Sequence, residues 1–213
     1  MERIIALLIG YAFGLIQAGF LVGKFHKIDI RKEGSGNSGA TNTARVLGLK
    51  AGVITVLIDV AKCIGAIVLV RVIFQGQDGL QLLAMYTGLG VTLGHNFPFY
   101  MKFKGGKGIA AMGGILITMA IFDNPWVLII PLAMFVLAVL FTRYVSLGSL
   151  MASFVFLLAI ISLGEQSAFE LDRANLMEMY GLVCVLVGLA WCRHIDNVKR
   201  LIKGEENQFG SSK

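Results

Sequence analysis

The sequence predicts an all-α, polytopic membrane helix bundle, and three observations carry the prediction. Hydrophobic residues fill 56% of the 213 positions, the mean hydropathy is +0.77, and the apolar residues fall in long runs with few charges inside them. That is more apolar mass than one soluble core of this length needs. A helix that crosses the hydrocarbon layer takes roughly 20 mostly apolar residues. Segments 4–23, 51–74, 80–96, 108–122, 125–142, 145–163 and 178–192 meet or approach that length, which predicts about seven spans in one integral membrane domain covering 1–213.

In chain order, the first run follows Glu2 and Arg3 and so resembles a secretory leader. Its length, the presence of Gln17 and the hydrophobic segments that follow predict that it stays as a span. The second run holds Asp59 and Lys62 three residues apart. On a helix these lie side by side, and ionisable groups at that depth face the protein interior and pair; such a pair either braces the bundle or supports a site. The fourth run, 108–122, is the shortest.

Lys and Arg between spans set the orientation, because loops rich in them stay on the cytoplasmic side. Lys24, Lys27, Arg31, Lys32, Arg45 and Lys50 follow the first run, and Lys102, Lys104 and Lys107 the third. Arg143 follows the fifth, and Arg193, Lys199, Arg200, Lys203 and Lys213 lie in the tail. The other side has Arg3, Arg71 and Arg173, with Glu165, Glu170, Asp172 and Glu178 in the loop before the last run. The N-terminus is therefore expected outside and the C-terminus in the cytoplasm. This asymmetry, with attraction to anionic lipid headgroups, accounts for the net charge of +6. Basic residues divided among short loops do not make a nucleic-acid face. Cys63, Cys184 and Cys192 lie in or at the ends of runs with no paired spacing, so neither a disulfide framework nor a zinc site is expected.

Three polar stretches interrupt the apolar text. The first, Gly34-Ser35-Gly36-Asn37-Ser38-Gly39-Ala40-Thr41-Asn42-Thr43-Ala44-Arg45, has almost no apolar bulk. Its glycines bring backbone N–H groups close to a ligand, its hydroxyls and amides add neutral donors, and Arg45 adds a planar fork suited to phosphate. A helix starting near Thr41 would add free N–H groups to the same anion site. The bland alternative is a flexible linker.

The second stretch, Gly94-His95-Asn96-Phe97-Pro98-Phe99-Tyr100-Met101-Lys102-Phe103-Lys104-Gly105-Gly106-Lys107-Gly108, alternates glycines with cations. Lys107 is followed by glycine in place of a hydroxyl residue, so this is no Walker loop and nucleotide hydrolysis is disfavoured. A Lys-Gly-Gly-Lys turn still places ammonium groups and bare amides around a phosphate or a developing oxyanion, while ordinary interfacial lysines are the alternative. His95 stands where an imidazole exchanges protons near neutral pH. The third stretch, His194 to Glu206, places His194, Asn197 and Leu201 on one helical face, as an interfacial helix or a simple amphipathic anchor.

Together these stretches resemble the bacterial membrane acyl-phosphate:glycerol-3-phosphate acyltransferases. The likeness rests on GSGNSGATNTAR, GHNFPFYMKFKGGKG and HIDNVKRLIKGEE, with support at Asp29-Ile30-Arg31, Asp59 to Lys62 and Tyr144 to Gly148, and it covers nearly the whole chain. Two departures stand out: Leu15-Ile16-Gln17 where the family usually has serine-isoleucine-proline, and Cys63 where glycine is common. The resemblance implies transfer of a long-chain acyl group from acyl phosphate to the 1-hydroxyl of glycerol 3-phosphate in a bacterial inner membrane, at the cytoplasmic face. It calls for no cofactor and no metal.

The catalytic candidates are His95, Lys104, Ser35, Arg45 and Asn197. The phosphate-binding candidates add Gly36, Asn37, Ser38, Gly39, Ala40, Thr41, Asn42, Asn96, Gly105, Gly106, Lys107 and His194. Either His95 or the donor's own phosphate takes the hydroxyl proton. No histidine here has aspartate five positions later, and no serine or cysteine sits in a nucleophile elbow, which favours direct attack over an acyl-enzyme. The competing classes are a transporter for a phosphorylated solute and a CDP-dependent headgroup transferase; the second expects an aspartate array that the cytoplasmic loops lack.

Overall fold

The computed structural model describes residues 1–210, and Lys213, counted above with the basic tail, lies outside them. The described chain is all-helical, without strands. It divides into two compact units, Met1–Thr118 and Met119–Lys213.

The first unit is built on helices α1 (Glu2–Gly14), α2 (Ala18–Phe25), α3 (Ala40–Leu47), α4 (Leu49–Ile73), α5 (Leu80–Asn96) and most of α6 (Ile109–Phe122). Glycines set its closest packing. Gly10 and Gly14 on α1 face α5, and Gly90 and Gly94 on α5 face α1. A Cβ at these positions would lie 2.1 Å from the Thr87 carbonyl oxygen, 2.4 Å from that of Val91, 2.2 Å from that of Leu7 and 2.3 Å from that of Tyr11. Lipid offers little hydrophobic drive between helices, so backbones brought together by small residues are what hold such a pair. Large apolar side chains of α4, among them Leu57, Val72 and Ile73, remain exposed, as a helix does where lipid is its solvent.

The first span, read as one run, is interrupted. α1 stops at Gly14 and α2 starts at Ala18, with Gln17 in between. Leu15 and Ile16 are apolar, so hydropathy does not register the break.

The second unit holds α7 (Trp126–Thr142), α8 (Val145–Glu165), α9 (Arg173–Arg193) and α10 (Ile195–Lys203). Arg143, at φ 62°, turns the chain between α7 and α8. Gly164 lets Tyr180 approach α8, where its hydroxyl donates to Ile161 O at 3.2 Å. The last run was expected to begin at 178. It begins at Arg173 because Asp172 caps it, accepting the Asn175 N–H at 2.8 Å, which places Glu178 inside the helix instead of in the acidic loop.

Glu2–Phe25 counted across its break, Leu49–Ile73, Val145–Glu165 and Arg173–Arg193 are long and apolar enough to cross a membrane; Ile109–Phe122 and Trp126–Thr142 are shorter apolar helices. The chain is a multi-pass integral membrane protein.

Candidate active site

The Gly34–Arg45 stretch is an ordered loop that runs into α3. Asn42 builds it: its Oδ1 accepts from Ser35 N at 2.8 Å, and its Nδ2 donates to Ile30 O at 3.1 Å and Glu33 O at 3.0 Å. With that side chain buried and engaged, the polar group of Asn42 left for an anion is its backbone N–H. Asn37 Oδ1 accepts from Gly39 N at 2.8 Å, a side-chain turn that leads the chain into the helix. Gly34 and Gly36 have φ of 58° and 71°, backbone that other residues adopt only at a cost.

α3 starts at Ala40, one residue before the expected position. Thr43 N makes the first intrahelical bond, to Gly39 O at 3.1 Å, so the N–H groups of Ala40, Thr41 and Asn42 form the open helix end. Ser35, Gly36, Thr41 and Arg45 are exposed, whereas Ser38 is buried. The loop therefore offers one guanidinium, two hydroxyls and a run of N–H groups to an anion. At its edge, Arg31 pairs with Asp29 at 2.9 Å and lies 4.9 Å over the Phe20 ring. That guanidinium holds the Asp29 carboxyl down at about 2.

The second stretch doubles back on the end of α5. Gly105 N donates to Asn96 O and Gly106 N to His95 O, both at 3.1 Å, so the glycines satisfy carbonyls that the helix end leaves open. Contact dictates the residue type. A Cβ on Gly105 would fall 2.0 Å from His95 O, and one on Gly106 would fall 2.1 Å from His95 Nε2. Gly108 adds a φ of 85°. Lys104 is exposed and Lys107 partly so. Asn96 is fully buried, with its carboxamide paired to nothing among the described residues. A phosphate reaches that amide only if the Gly105–Gly108 turn moves.

Beneath the turn lies a charged cluster. Lys62 Nζ is 2.6 Å from Asp59 Oδ1, 2.6 Å from Ile16 O and 2.9 Å from His95 Nδ1. His95 Nδ1 is also 3.4 Å from Asp59 Oδ1, and the three side chains are buried. Lys62 donates a hydrogen bond to the Ile16 carbonyl and pairs with the Asp59 carboxylate by charge. His95 Nδ1 thus faces the Asp59–Lys62 pair, and its Nε2 lies on the side of Gly106.

His194 and Asn197 belong to the second unit. His194 Nδ1 lies 2.7 Å from Ala190 O, and Asn197 Nδ2 donates to Glu206 Oε1 at 2.8 Å. Glu206 also accepts from Ser146 Oγ at 3.1 Å and Arg200 Nε at 2.8 Å, fastening the tail to the starts of α8 and α10.

The fold and these loops define a multi-pass helical membrane protein that carries two polar, glycine-rich loops. The family model for glycerol-3-phosphate acyltransferase matches residues 4–204, and the chain belongs to that family of enzymes. A glycerol-3-phosphate acyltransferase of Thermoanaerobacter pseudethanolicus is 37% identical over 211 residues, 99% of this chain and 97% of the relative. One from Shouchella clausii is 38% identical over the same shares. Among solved structures, the integral membrane glycerol 3-phosphate acyltransferase PlsY (YgiH) in its glycerol 3-phosphate form superposes with a TM-score of 0.80 at 31% identity, covering 99% of this chain and 96% of that one. Its lysophosphatidic acid form gives 0.79.

Sequence reasoning missed Gln17 as a site neighbour and gave Glu206 no role of its own. A glutamine inside an apolar run and a glutamate ending a polar motif were the available signals.

Proposed function

We propose that this chain transfers a long-chain acyl group from an acyl phosphate to the 1-hydroxyl of glycerol 3-phosphate, giving 1-acylglycerol 3-phosphate and inorganic phosphate, the first acylation of phospholipid biosynthesis. The observation that carries the reading is the likeness, over nearly the full length of both chains, to an enzyme solved with glycerol 3-phosphate and in a lysophosphatidic acid form. The loops agree with it, because both substrates present phosphate and the exposed Ser35, Thr41, Arg45 and Lys104 suit that anion.

In the proposed step the glycerol hydroxyl oxygen attacks the acyl carbonyl carbon. A carbon–oxygen bond forms, the bond to the phosphate oxygen breaks, and phosphate leaves with the electron pair. Lys104 is assigned to the charge that develops on the carbonyl oxygen. The burial of His95 between the Asp59–Lys62 pair and the Gly106 backbone supports assigning the donor's phosphate as the proton acceptor and His95 as the group that supports the glycine turn. His194 and Asn197 are assigned as substrate contacts on the family motif alone. The reading takes residues 1–213 as one acyltransferase domain with seven spans, N-terminus outside, in a bacterial inner membrane, with the active site on the cytoplasmic side where the Lys and Arg residues gather.

Purified Arg45→Ala and Lys104→Ala variants, supplied with glycerol 3-phosphate and palmitoyl phosphate, test the site. Each is expected to lose at least about a hundredfold in kcat/KM while keeping the wild-type thermal midpoint. Full activity in both variants overturns the assignment.

A further inference from the structure

The break in the first span is where the two loops of the candidate site meet. Ending α1 at Gly14 leaves carbonyls without intrahelical partners, and at membrane depth such groups are satisfied from within the protein. Tyr100 OH donates to Leu15 O at 2.6 Å, and Lys62 Nζ to Ile16 O at 2.6 Å. Gln17 then reaches both loops. Its Nε2 lies 3.2 Å from Gly14 O, 3.4 Å from Gly94 O and 3.1 Å from His95 O, and its Oε1 is 3.5 Å from Ser38 Oγ.

Three carbonyls accept and do not donate, so the amide orientation is fixed: NH2 toward α5, oxygen toward the serine hydroxyl. His95 O also accepts from Gly106 N, so one oxygen atom separates Gln17 from the glycine turn. On the other side, Gly19 presses against the first loop, where a Cβ would fall 2.0 Å from Ser38 O and 2.8 Å from Thr43 Oγ1. Gln17 is 1% exposed and Ser38 3%, which makes this an internal link and not a surface contact. The Ser38 contact is its long member, about 0.7 Å beyond an ordinary hydroxyl hydrogen bond.

We infer that Gln17 is a positioning residue that registers the Gly34–Arg45 loop against the His95–Gly108 turn, so that a ligand ordering one loop orders the other. The inference rests on the site reading given above. A residue that sets the spacing between two bound groups acts on their mutual approach and little on the binding of either.

The test uses the full chain in detergent. Gln17→Met, matched in volume and without polar atoms, is expected to lower kcat about tenfold, as loss of roughly one hydrogen bond's worth of alignment does, while KM for glycerol 3-phosphate stays near wild type. Ser38→Ala is expected to cost less in the Gln17→Met background than in wild type, a non-additivity that a merely structural glutamine does not produce. Additive effects, or an unchanged kcat in Gln17→Met, overturn the inference. If that variant does not survive extraction, hydrogen exchange on the wild type decides: saturating glycerol 3-phosphate is expected to protect residues 14–19, 34–42 and 94–108 together. Protection of one loop without residues 14–19 overturns it. Full activity in both Arg45→Ala and Lys104→Ala contradicts the site reading itself and is a separate result.

Discussion

Lys62 Nζ sits 2.9 Å from His95 Nδ1, joining the middle of the second span to the end of α5 through a buried contact. With Asp59 at 2.6 Å on the same nitrogen, the imidazole is held by an ion pair three residues long on α4. Removing one partner of a buried pair leaves the other charge uncompensated, at a cost of roughly 3–5 kcal/mol. Lys62→Met is therefore expected to lower the thermal midpoint in detergent markedly, and Asp59→Asn with Lys62→Met to recover much of the loss. A Lys62→Met protein as stable as wild type contradicts the pairing.

The glycine turn makes a second, sharper prediction. Gly106→Ala drives a methyl to 2.1 Å from His95 Nε2, whereas Gly181 and Gly188 in α9 have nothing within 4 Å of the same added carbon. Activity should be lost in Gly106→Ala. Gly181→Ala and Gly188→Ala should keep activity and gain up to about 1 kcal/mol each from helix propensity. Thermal melts and initial rates on the three proteins check this.

Much of this was legible beforehand because hydropathy reports where a chain can be surrounded by lipid. A helix stands at each of the apolar runs, and the glycines of the two polar stretches stand where turns and close approaches occur. The interruption at Gln17 was not legible: its cause is the set of partners waiting for Leu15, Ile16 and Gln17 from α4, α5, the turn after α5 and the first loop, and those contacts are far apart in sequence. Asn42 shows the same limit. Its type suggested a ligand contact, but the side chain holds the loop's own backbone, which only the folded geometry reveals. The early start of α9 was a local signal passed over, since Asp172 three residues before Asn175 has the spacing of a cap.

Glu206 is expected to hold the C-terminal segment in place. Its carboxylate receives Ser146, Asn197 and Arg200, so Glu206→Ala should cost about 1–3 kcal/mol and expose residues 204–209 to proteolysis. Equal tryptic cleavage of the Lys203–Gly204 bond, at the edge of that segment, in wild type and variant contradicts that role.

The Asp29–Arg31 pair gives a pH prediction. Asp29 is depressed from 3.8 to about 2 by Arg31. A group depressed on folding contributes stability that is complete above the unfolded value and is lost as pH falls through the folded one. The wild type and Asp29→Asn should therefore differ by a constant amount from pH 5 upward and converge between about 3.8 and 2. A difference that changes between pH 6 and 8 contradicts this origin.

The central claim is the reaction and its donor. The most direct measurement supplies the purified protein with glycerol 3-phosphate and either palmitoyl phosphate or palmitoyl-CoA, in detergent with no gradient, and follows 1-acylglycerol 3-phosphate and free phosphate by mass spectrometry. The account predicts both products from palmitoyl phosphate, in equal amounts, and neither from palmitoyl-CoA. Product from palmitoyl-CoA alone, or no product from a monodisperse protein, contradicts it.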